Sequence, residues 1–311
     1  MSAQGFTAPP CGRFAPSPSG RMHLGNLWSC LLAWLSARSA GGRMVLRLED
    51  LDPDRCRSEF CEQVMRDLDW LGLDWDNEPV WQSRRSHIYE EYFHALEQQG
   101  LVYPCYCTRN QLLAASAPHR SDGIAVYDGR CRALTMEQRR ERAAQRKPAW
   151  RIAVDEVEVG FHDLCRGHYA HRLDTCCGDF ILRRSDGVYA YQLAVVVDDA
   201  LMGVTQVVRG SDLLDSTPRQ IWLGRQLGFS TPEYAHVPLL MAEDGRRLAK
   251  RDRDLELGQL QQQYTAAELV GILAHLAGLI PEPAPISPAD LIPLFAWSKV
   301  PKGDLIAPKL I

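Results

Sequence analysis

The segment Arg13-Phe-Ala-Pro-Ser-Pro-Ser-Gly-Arg-Met-His-Leu-Gly-Asn26 is followed directly by an apolar run from Leu27 to Leu35. Pro16 and Pro18 disfavour a helix before them, whereas the apolar run predicts one. We therefore expect a strand, a tight loop and a helix N-terminus to meet at His23. Such a terminus binds phosphate through its backbone N–H groups, and an imidazole there can donate to a phosphate oxygen. The alternative is a Pro/Gly turn with a surface histidine, which is common.

A second polar segment, Met241-Ala-Glu-Asp-Gly-Arg-Arg-Leu-Ala-Lys250, lies far along the chain. It follows an apolar strand predicted from Val237 to Met241, and Asp244-Gly245 predicts a turn that delivers a cationic loop. A lysine such as Lys250 can neutralise a triphosphate during in-line attack at phosphorus. Taken alone, a segment of this kind is more often a solvated basic loop. The two segments together favour a site that uses ATP.

Apolar strands alternate with amphipathic helices along much of the chain. Met44 to Leu48 predicts a strand, and residues 58–71, 84–99 and 217–227 predict helices. This alternation is typical of parallel βαβ units in a doubly wound sheet. Residues 105–174 are shorter and more irregular in pattern, which indicates an insertion between the two halves of that sheet.

The insertion contains two cysteine clusters, Cys105-Tyr-Cys107 and Tyr127-Asp-Gly-Arg-Cys131. Three thiolates with a fourth donor suit tetrahedral zinc, and a metal would stabilise a weakly cored loop. The alternative is a set of buried thiols that behave as small apolar side chains, because Cys-x-Cys is looser than the usual Cys-x₂-Cys spacing. His119 is a chemical candidate for the fourth position.

We therefore predict an α/β protein: a Rossmann-like doubly wound parallel sheet with a zinc-bearing insertion and a short, mostly helical C-terminal segment. The predicted domains are residues 1–104 with 175–235 for the catalytic sheet, 105–174 for the insertion, and 236–311 for the cationic loop and the C-terminal segment.

Composition agrees with a cytoplasmic enzyme. The chain has 311 residues, is 46% hydrophobic and can bury a sizeable core. No apolar run approaches the length needed to span a membrane, and residues 1–10 lack a signal-peptide pattern. Ten irregularly spaced cysteines fit reduced thiols. A net charge of −4 excludes a generally basic nucleic-acid binder, so any RNA contact requires a local patch.

The two polar segments resemble the HIGH and KMSKS signatures of class I aminoacyl-tRNA synthetases, most closely the glutamyl branch. His23-Leu-Gly-Asn26 and Arg247-Leu-Ala-Lys-Arg251 are the local forms. Arg247 and Ala249 depart from the generic KMSKS pattern, and Asn26 replaces the last histidine of HIGH. Further matching segments are Arg47 to Pro53, Asp179 to Gly187, Tyr191 to Asp199, Val208 to Leu214 and Thr217 to Gln220.

This resemblance implies formation of glutamyl-adenylate from L-glutamate and ATP, with Mg²⁺ accompanying the nucleotide. His23 and Lys250 are the implied catalytic residues, which stabilise charge on the phosphates. The implied ATP-binding residues are His23, Gly25, Asn26, Leu248 and Lys250. The implied glutamate-binding residues are Arg13, Ser17, Glu49, Tyr191 and Arg209. The implied zinc ligands, in the order used by the short members of this branch, are Cys105, Cys107, Tyr127 and Cys131.

Two of these assignments have structural alternatives. Glu49 could end a strand and cap the following helix. Arg209 could form a structural ion pair with Asp212. From the residues alone, these alternatives are favoured.

The acceptor is indicated by the segment after the KMSKS-like loop. Residues 252–311 are too few for the large helical anticodon-binding region of a bacterial glutamyl-tRNA synthetase. The chain therefore resembles the short paralogues, which activate glutamate without tRNA and attach it to queuosine in the anticodon of tRNA(Asp). The basic residues that could contact RNA phosphates, although a solvated helix face is the commoner explanation, are Arg139, Arg140, Arg142, Arg146 and Lys147.

Two other functions remain open at this point. One is a minimal glutamyl-tRNA synthetase that charges a tRNA 3′ end. The other is a zinc-bearing RNA-binding module without activity, for which the altered KMSKS-like loop is the supporting feature. We expect a monomer with no membrane partner.

Overall fold

The computed structural model describes residues 8–108, 126–246, 248 and 255–310. Among these residues, no helix combines the length and the apolar character needed to cross a membrane. The strands are β1 (Cys11–Phe14), β2 (Arg43–Leu48), β3 (Val80–Trp81), β4 (Val102–Cys105), β5 (Ala149–Ile152), β6 (Glu158–Asp163), β7 (Gly167–Arg172), β8 (Phe180–Arg183), β9 (Gln206–Gly210), β10 (Glu233–Val237), β11 (Leu240–Met241) and β12 (Leu305–Ile306). The α-helices are α1 (Leu24–Ser39), α2 (Ser58–Trp70), α3 (Ser86–Gln98), α4 (Met136–Gln145), α5 (Leu173–Cys176), α6 (Tyr191–Leu201), α7 (Thr217–Gln226), α8 (Leu257–Leu260), α9 (Ala266–Leu276) and α10 (Pro288–Leu291).

Parallel strands form the centre of the molecule. β1 pairs with β2 and β2 with β3, in each case in parallel. β9 pairs with β10 and β10 with β6, also in parallel, and β7 continues this sheet as the antiparallel partner of β6. A hydrogen bond connects the start of β9 to β1: the backbone N–H of Thr205, the residue before β9, donates to the carbonyl of Cys11 at 3.0 Å. The α/β architecture with a parallel sheet is therefore confirmed.

Alternating side chains of the strands enter two different cores. Met44 and Leu46 of β2 pack with α1 and α2, whereas Val45 packs on the opposite face with α3, α6 and α7. A sheet that is buried on both faces requires nearly continuous apolar strands, and Met44 to Leu48 meets this requirement except at Arg47. The helices predicted over residues 58–71, 84–99 and 217–227 are present, with ends that differ by at most two residues. The helix predicted from the apolar run Leu27 to Leu35 is also present, as the longer helix α1.

A smaller antiparallel sheet, in the order β4-β5-β8, lies at the predicted insertion. Within the predicted insertion, β6 and β7 instead join the main sheet, where Asp163 of β6 is paired with Tyr234 of β10. This pairing crosses the predicted boundary at residue 174. The division into residues 1–104 with 175–235, 105–174 and 236–311 remains a prediction.

The strand predicted from Val237 to Met241 is wrong as a single element. β10 ends at Val237 and β11 begins at Leu240. Pro238 lies between them and has no N–H to continue a ladder, while its carbonyl accepts a hydrogen bond from Trp28 Nε1 at 2.8 Å. The turn predicted at Asp244-Gly245 is present: the backbone N–H of Gly245 donates to the carbonyl of Ala242 at 2.9 Å, and the φ angle of Gly245 is 75°.

The C-terminal segment packs on the main body. β12 pairs in parallel with β11, so Leu305 lies beside Leu240. Asp304 Oδ1 accepts hydrogen bonds from the backbone N–H of Leu239 and from Arg166 Nη2, each at 3.0 Å. Side chains of α9 and α10 enter the same core as α1. This segment therefore supports the strand that leads into the KMSKS-like loop.

Two helical glycines provide a test of this packing. In α9, a Cβ atom at Gly271 would lie 1.9 Å from the carbonyl oxygen of Ala284, whereas in α7 a Cβ atom at Gly224 would make ordinary contacts at 3.6 Å and beyond. Alanine is about 1 kcal/mol more favourable than glycine in a helix. We expect Gly271→Ala to lower the free energy of unfolding by about 1–3 kcal/mol because the backbone at Ala284 must shift.

Gly224→Ala is the matched control and should leave that free energy unchanged or raise it. Urea titration followed by circular dichroism measures both variants. Equal stability of the two variants would show that α9 does not pack against the backbone of Ala284 as described.

Candidate active site

A cavity of about 700 Å³ opens at the carboxyl ends of β1, β2 and β9, beside the N-terminus of α1. Ligands of doubly wound sheets bind at this edge. All of the residues predicted to bind glutamate line the cavity: Arg13, Ser17, Glu49, Tyr191 and Arg209. His23 and Asn26 also line it. Residues that the sequence spreads over almost two hundred positions are thus brought together.

Three of the predicted ATP-binding residues do not line this cavity or cannot be placed. Gly25 and Leu248 are described but are absent from its lining. Lys250 lies outside the described residues, as do Arg247, Ala249 and Arg251. The flanks of this segment are nevertheless close to the cavity, because the backbone N–H of Leu257 donates to the carbonyl of Met22 at 2.9 Å.

His23 is fixed by its position as the N-cap of α1. Its Nδ1 accepts a hydrogen bond from the backbone N–H of Gly25 at 3.1 Å, and Asn26 Oδ1 accepts one from the backbone N–H of His23 at 3.0 Å. In a neutral imidazole whose Nδ1 accepts, the proton is on Nε2. A Cβ atom at residue 25 would lie 3.1 Å from the ring, so glycine leaves room for this ring orientation. His23 is thereby prepared as a donor to an anion.

Arg13 places a buried cation at the base of the cavity. Its residue surface is 6% exposed, its Nη1 donates to the carbonyl of Val208 at 2.7 Å, and its Nε lies 3.9 Å from Asp199 Oδ1. Burial lowers the pKa of Arg13, an effect that the charge of Asp199 opposes. Arg13 Nε is buried without a hydrogen-bond partner. A guanidinium has five N–H donors, of which Nη1 uses one for the carbonyl of Val208.

Glu49 supplies the opposite charge. Arg47 Nη2 donates to Glu49 Oε1 at 3.1 Å, and the backbone N–H of Glu49 donates to the carbonyl of Pro16 at 3.0 Å. Burial raises the pKa of Glu49, and the neighbouring positive charge of Arg47 opposes that rise. Glu49 does not cap α2, whose N-cap residue is Arg57. The helix-capping alternative is therefore excluded.

Arg209 is 5% exposed, and the side chains that it bonds are all neutral. Its Nη1 donates to the hydroxyl of Tyr191 at 3.3 Å, and its Nη2 donates to Thr217 Oγ1 at 2.8 Å and to Gln220 Oε1 at 2.7 Å. The described residues contain no ion pair between Arg209 and Asp212, so the structural ion pair considered above is absent. Burial raises the pKa of Tyr191, which keeps its hydroxyl protonated.

Sequence reasoning missed the groups behind Glu49. Arg47 is fully buried; its Nη1 donates to Asp199 Oδ1 at 2.7 Å and its Nε lies 3.8 Å from Asp198 Oδ2. The available signals were an arginine inside an apolar strand and two adjacent carboxylates in the otherwise apolar helix α6. Buried charges are paired in proteins, so these positions could have been matched.

The three cysteines of the insertion form a cluster. The Sγ atoms of Cys105, Cys107 and Cys131 all lie within 4.8 Å of one another. The hydroxyl of Tyr127 lies 3.6 Å from Cys105 Sγ and 3.8 Å from Cys107 Sγ, and it accepts a hydrogen bond from the backbone N–H of Cys131 at 2.9 Å. His119 lies outside the described residues. The cluster has the donors to hold a metal ion.

The basic helix α4 has no buried residue, but most of its arginines bond within the insertion. Arg139 Nη2 donates to the carbonyl of Arg132 at 3.3 Å, and Arg146 Nη1, just beyond the helix, donates to the carbonyl of Tyr106 at 3.2 Å. Arg142 Nη1 lies 3.9 Å from Cys131 Sγ. These contacts give the arginines a local role in packing the insertion.

Comparison with known proteins gives consistent results. The model for the family "tRNA synthetases class I (E and Q), catalytic domain" matches residues 11–275. Two relatives named glutamyl-Q tRNA(Asp) synthetase are each 50% identical: that of Symbiobacterium thermophilum over 96% of both chains, and that of Nitratidesulfovibrio vulgaris over 96% of this chain and 95% of its own. The crystal structure of a glutamate tRNA ligase from Elizabethkingia meningosepticum, in complex with its amino acid, superposes with a TM-score of 0.82 at 25% identity, covering 96% of this chain and 67% of that chain.

Proposed function

The chain belongs to the class I tRNA synthetases of the glutamate and glutamine (E and Q) family, and we propose that it is a ligase that activates L-glutamate with ATP and transfers it to queuosine in the anticodon of tRNA(Asp). Activation needs no tRNA. One observation carries the activation step: Arg13, Glu49 and Arg209 line the same cavity as the helix N-terminus at His23.

We propose that the amino acid is recognised by charge on three sides. Arg13 and Arg209 bind its two carboxylates, and Glu49 binds its ammonium group. Ser17 and Tyr191 orient it through their hydroxyls. Charge-assisted hydrogen bonds are stronger in a site that is shielded from water. Arg13 and Arg209 meet this condition because both are buried.

Adenylate formation then takes place at the phosphate end of the cavity. An oxygen of the glutamate α-carboxylate forms a bond to the α-phosphorus of ATP, the bond from that phosphorus to the bridging oxygen breaks, and pyrophosphate leaves. His23 donates from Nε2 to a phosphate oxygen, and Lys250 neutralises charge on the leaving group. Gly25, Asn26 and Leu248 complete the proposed ATP-binding residues. Mg²⁺ accompanies ATP and screens its phosphates.

Transfer to the tRNA then takes place at the carbonyl carbon of the glutamyl-adenylate. A hydroxyl oxygen of the queuosine cyclopentenediol forms an ester bond to this carbon, the bond from the carbon to the phosphate oxygen breaks, the hydroxyl proton passes to the departing phosphate or to water, and AMP leaves. The names of the relatives that match the chain over nearly its whole length support this acceptor. The alternative, a minimal glutamyl-tRNA synthetase that charges a 3′ end, is supported by the likeness to the glutamate tRNA ligase. That ligase shares less sequence with the chain than the relatives do.

The metal of the insertion is zinc in this proposal, held by Cys105, Cys107, Cys131 and Tyr127. Ligand atoms of a tetrahedral zinc site with thiolate and oxygen donors lie roughly 3.5–3.8 Å apart. The separation of Cys107 Sγ from Cys131 Sγ is 3.6 Å, and the hydroxyl of Tyr127 lies at matching distances from two of the thiols. Zinc would supply folding energy to the insertion. We also propose that the protein works in the cytoplasm as a monomer, where its cysteines stay reduced; none of the ten forms a disulfide.

Mapping of labelled product tests the proposed acceptor. The enzyme is incubated with ATP, radiolabelled glutamate and tRNA(Asp) that contains queuosine, and the tRNA is then cut into fragments. We expect label in the anticodon fragment and none on tRNA(Asp) that lacks queuosine. Label confined to the 3′-terminal fragment would establish the minimal synthetase instead.

Substitution of Lys250 tests the proposed phosphate contact. Lys250→Ala should lower glutamate-dependent ATP–pyrophosphate exchange by about 10²–10³-fold, the range for one lost electrostatic donor. Lys147→Ala removes an exposed lysine outside the cavity and is the control. Normal exchange in Lys250→Ala would remove this role.

Metal analysis tests the zinc ligands. We expect about one zinc ion per wild-type chain by mass spectrometry, and a large loss in Cys107→Ser together with a lower melting temperature, because structural zinc contributes directly to folding. Cys176→Ser lies outside the cluster and should keep its zinc. Full zinc content in Cys107→Ser would refute the ligand set.

A further inference from the structure

In the part of the chain that the structure describes, Arg209 touches no side chain of opposite charge. Tyr191, Thr217 and Gln220 accept its Nη hydrogen bonds as neutral groups, and its Nε donates to His236 Nε2 at 3.1 Å. A buried cation usually has a counter-charge. That counter-charge lies one residue further away, behind the histidine.

Asp163 is completely buried and held as an anion. Its carboxylate accepts hydrogen bonds from the backbone N–H groups of Cys165 at 2.9 Å, Arg166 at 2.8 Å and His236 at 3.1 Å. Its Oδ2 also lies 2.6 Å from His236 Nδ1. Burial alone would raise the pKa of Asp163, but the hydrogen bonds that its carboxylate accepts from the His236 side chain and from backbone N–H groups outweigh burial, and the pKa is lowered. A carboxylate with several donors stays ionised.

This arrangement decides where the proton of His236 resides. Nδ1 faces the carboxylate and therefore carries the proton, which leaves Nε2 as an acceptor. Burial lowers the pKa of His236, so the ring is neutral. Nε2 lies 3.1 Å from Arg209 Nε and 2.9 Å from Thr217 Oγ1. An imidazole with the other tautomer would direct an N–H at the N–H of Arg209.

We infer that Asp163 and His236 are positioning residues that set the affinity of the site for glutamate through Arg209. Neither lines the cavity, so neither touches the substrate. Asp163 fixes the tautomer of His236, and His236 fixes the plane and the direction of the guanidinium. The charge of Asp163 reaches Arg209 only through the neutral ring, which leaves Arg209 sufficiently electropositive to bind a carboxylate. This inference rests on the proposed function for the identity of the ligand.

A pair of substitutions at His236 separates its two hydrogen bonds. In His236→Gln, the amide oxygen reaches the position of Nε2 and can still accept from Arg209. In His236→Asn, the shorter amide reaches only the position of Nδ1 and keeps the bond to Asp163. We expect His236→Asn to raise the KM for glutamate by about 10- to 100-fold, the range for one lost hydrogen bond to a charged group. His236→Gln should stay within about threefold of wild type.

Asp163→Asn is an isosteric second variant, in case His236→Asn does not fold. Loss of the carboxylate frees the tautomer of His236, so the KM for glutamate should again rise by about tenfold or more. ATP–pyrophosphate exchange gives the KM values for both substrates, and calorimetry gives glutamate affinity without ATP. The KM for ATP should stay within about twofold in every variant, which a merely structural role would not predict.

The inference is overturned if a folded His236→Asn or Asp163→Asn binds glutamate like wild type. It is equally overturned if the KM values for glutamate and ATP rise together, or if His236→Gln is impaired as strongly as His236→Asn. Failure of the wild-type enzyme to exchange pyrophosphate in a glutamate-dependent manner would instead refute the proposed function.

Discussion

The buried guanidinium of Arg47 is the interaction on which the site depends. It lies at the end of β2, contacts Glu49 two residues along, and reaches Asp198 and Asp199 on α6. Removing one partner from a buried ion pair is costly, because the remaining charge has lost its solvation. Arg47 therefore links β2 to helix α6 and at the same time holds the carboxylate of Glu49, which lines the cavity. Tyr89 extends this network, since its hydroxyl donates to Asp198 Oδ2 at 2.8 Å.

Charges in the cavity differ in how completely the protein compensates them. Among the described residues, Glu49 has Arg47 as a direct partner, whereas Arg209 bonds only neutral groups and the carboxylate nearest to Arg13 lies at 3.9 Å. A zwitterion with two carboxylates and one ammonium would balance this set. The uneven compensation therefore favours a substrate with more negative than positive groups. The ion pair with Arg47 keeps Glu49 in position.

Local sequence signals predicted the parts of the site that depend on neighbouring residues. The strand, loop and helix around His23 follow from Pro16, Pro18 and the apolar run, and Gly245 lies in the expected turn. Local periodicity failed at Pro238, where one missing N–H divides the predicted strand. It also failed for β6 and β7, because pairing with β10 over some seventy residues of sequence is a property of the folded sheet. For the same reason, the contact between Asp163 and His236 could not be predicted from the sequence.

Residues on both sides of the KMSKS-like segment are held by contacts that are remote in sequence. Before it, Met241 pairs with Ile306 of β12, and Asp304 bonds to the backbone N–H of Leu239. After it, Glu256 forms a bridge with His23, the N-cap of α1. The C-terminal segment thus fixes the strand that precedes the KMSKS-like segment, whereas His23 at the start of α1 fixes a residue that follows it.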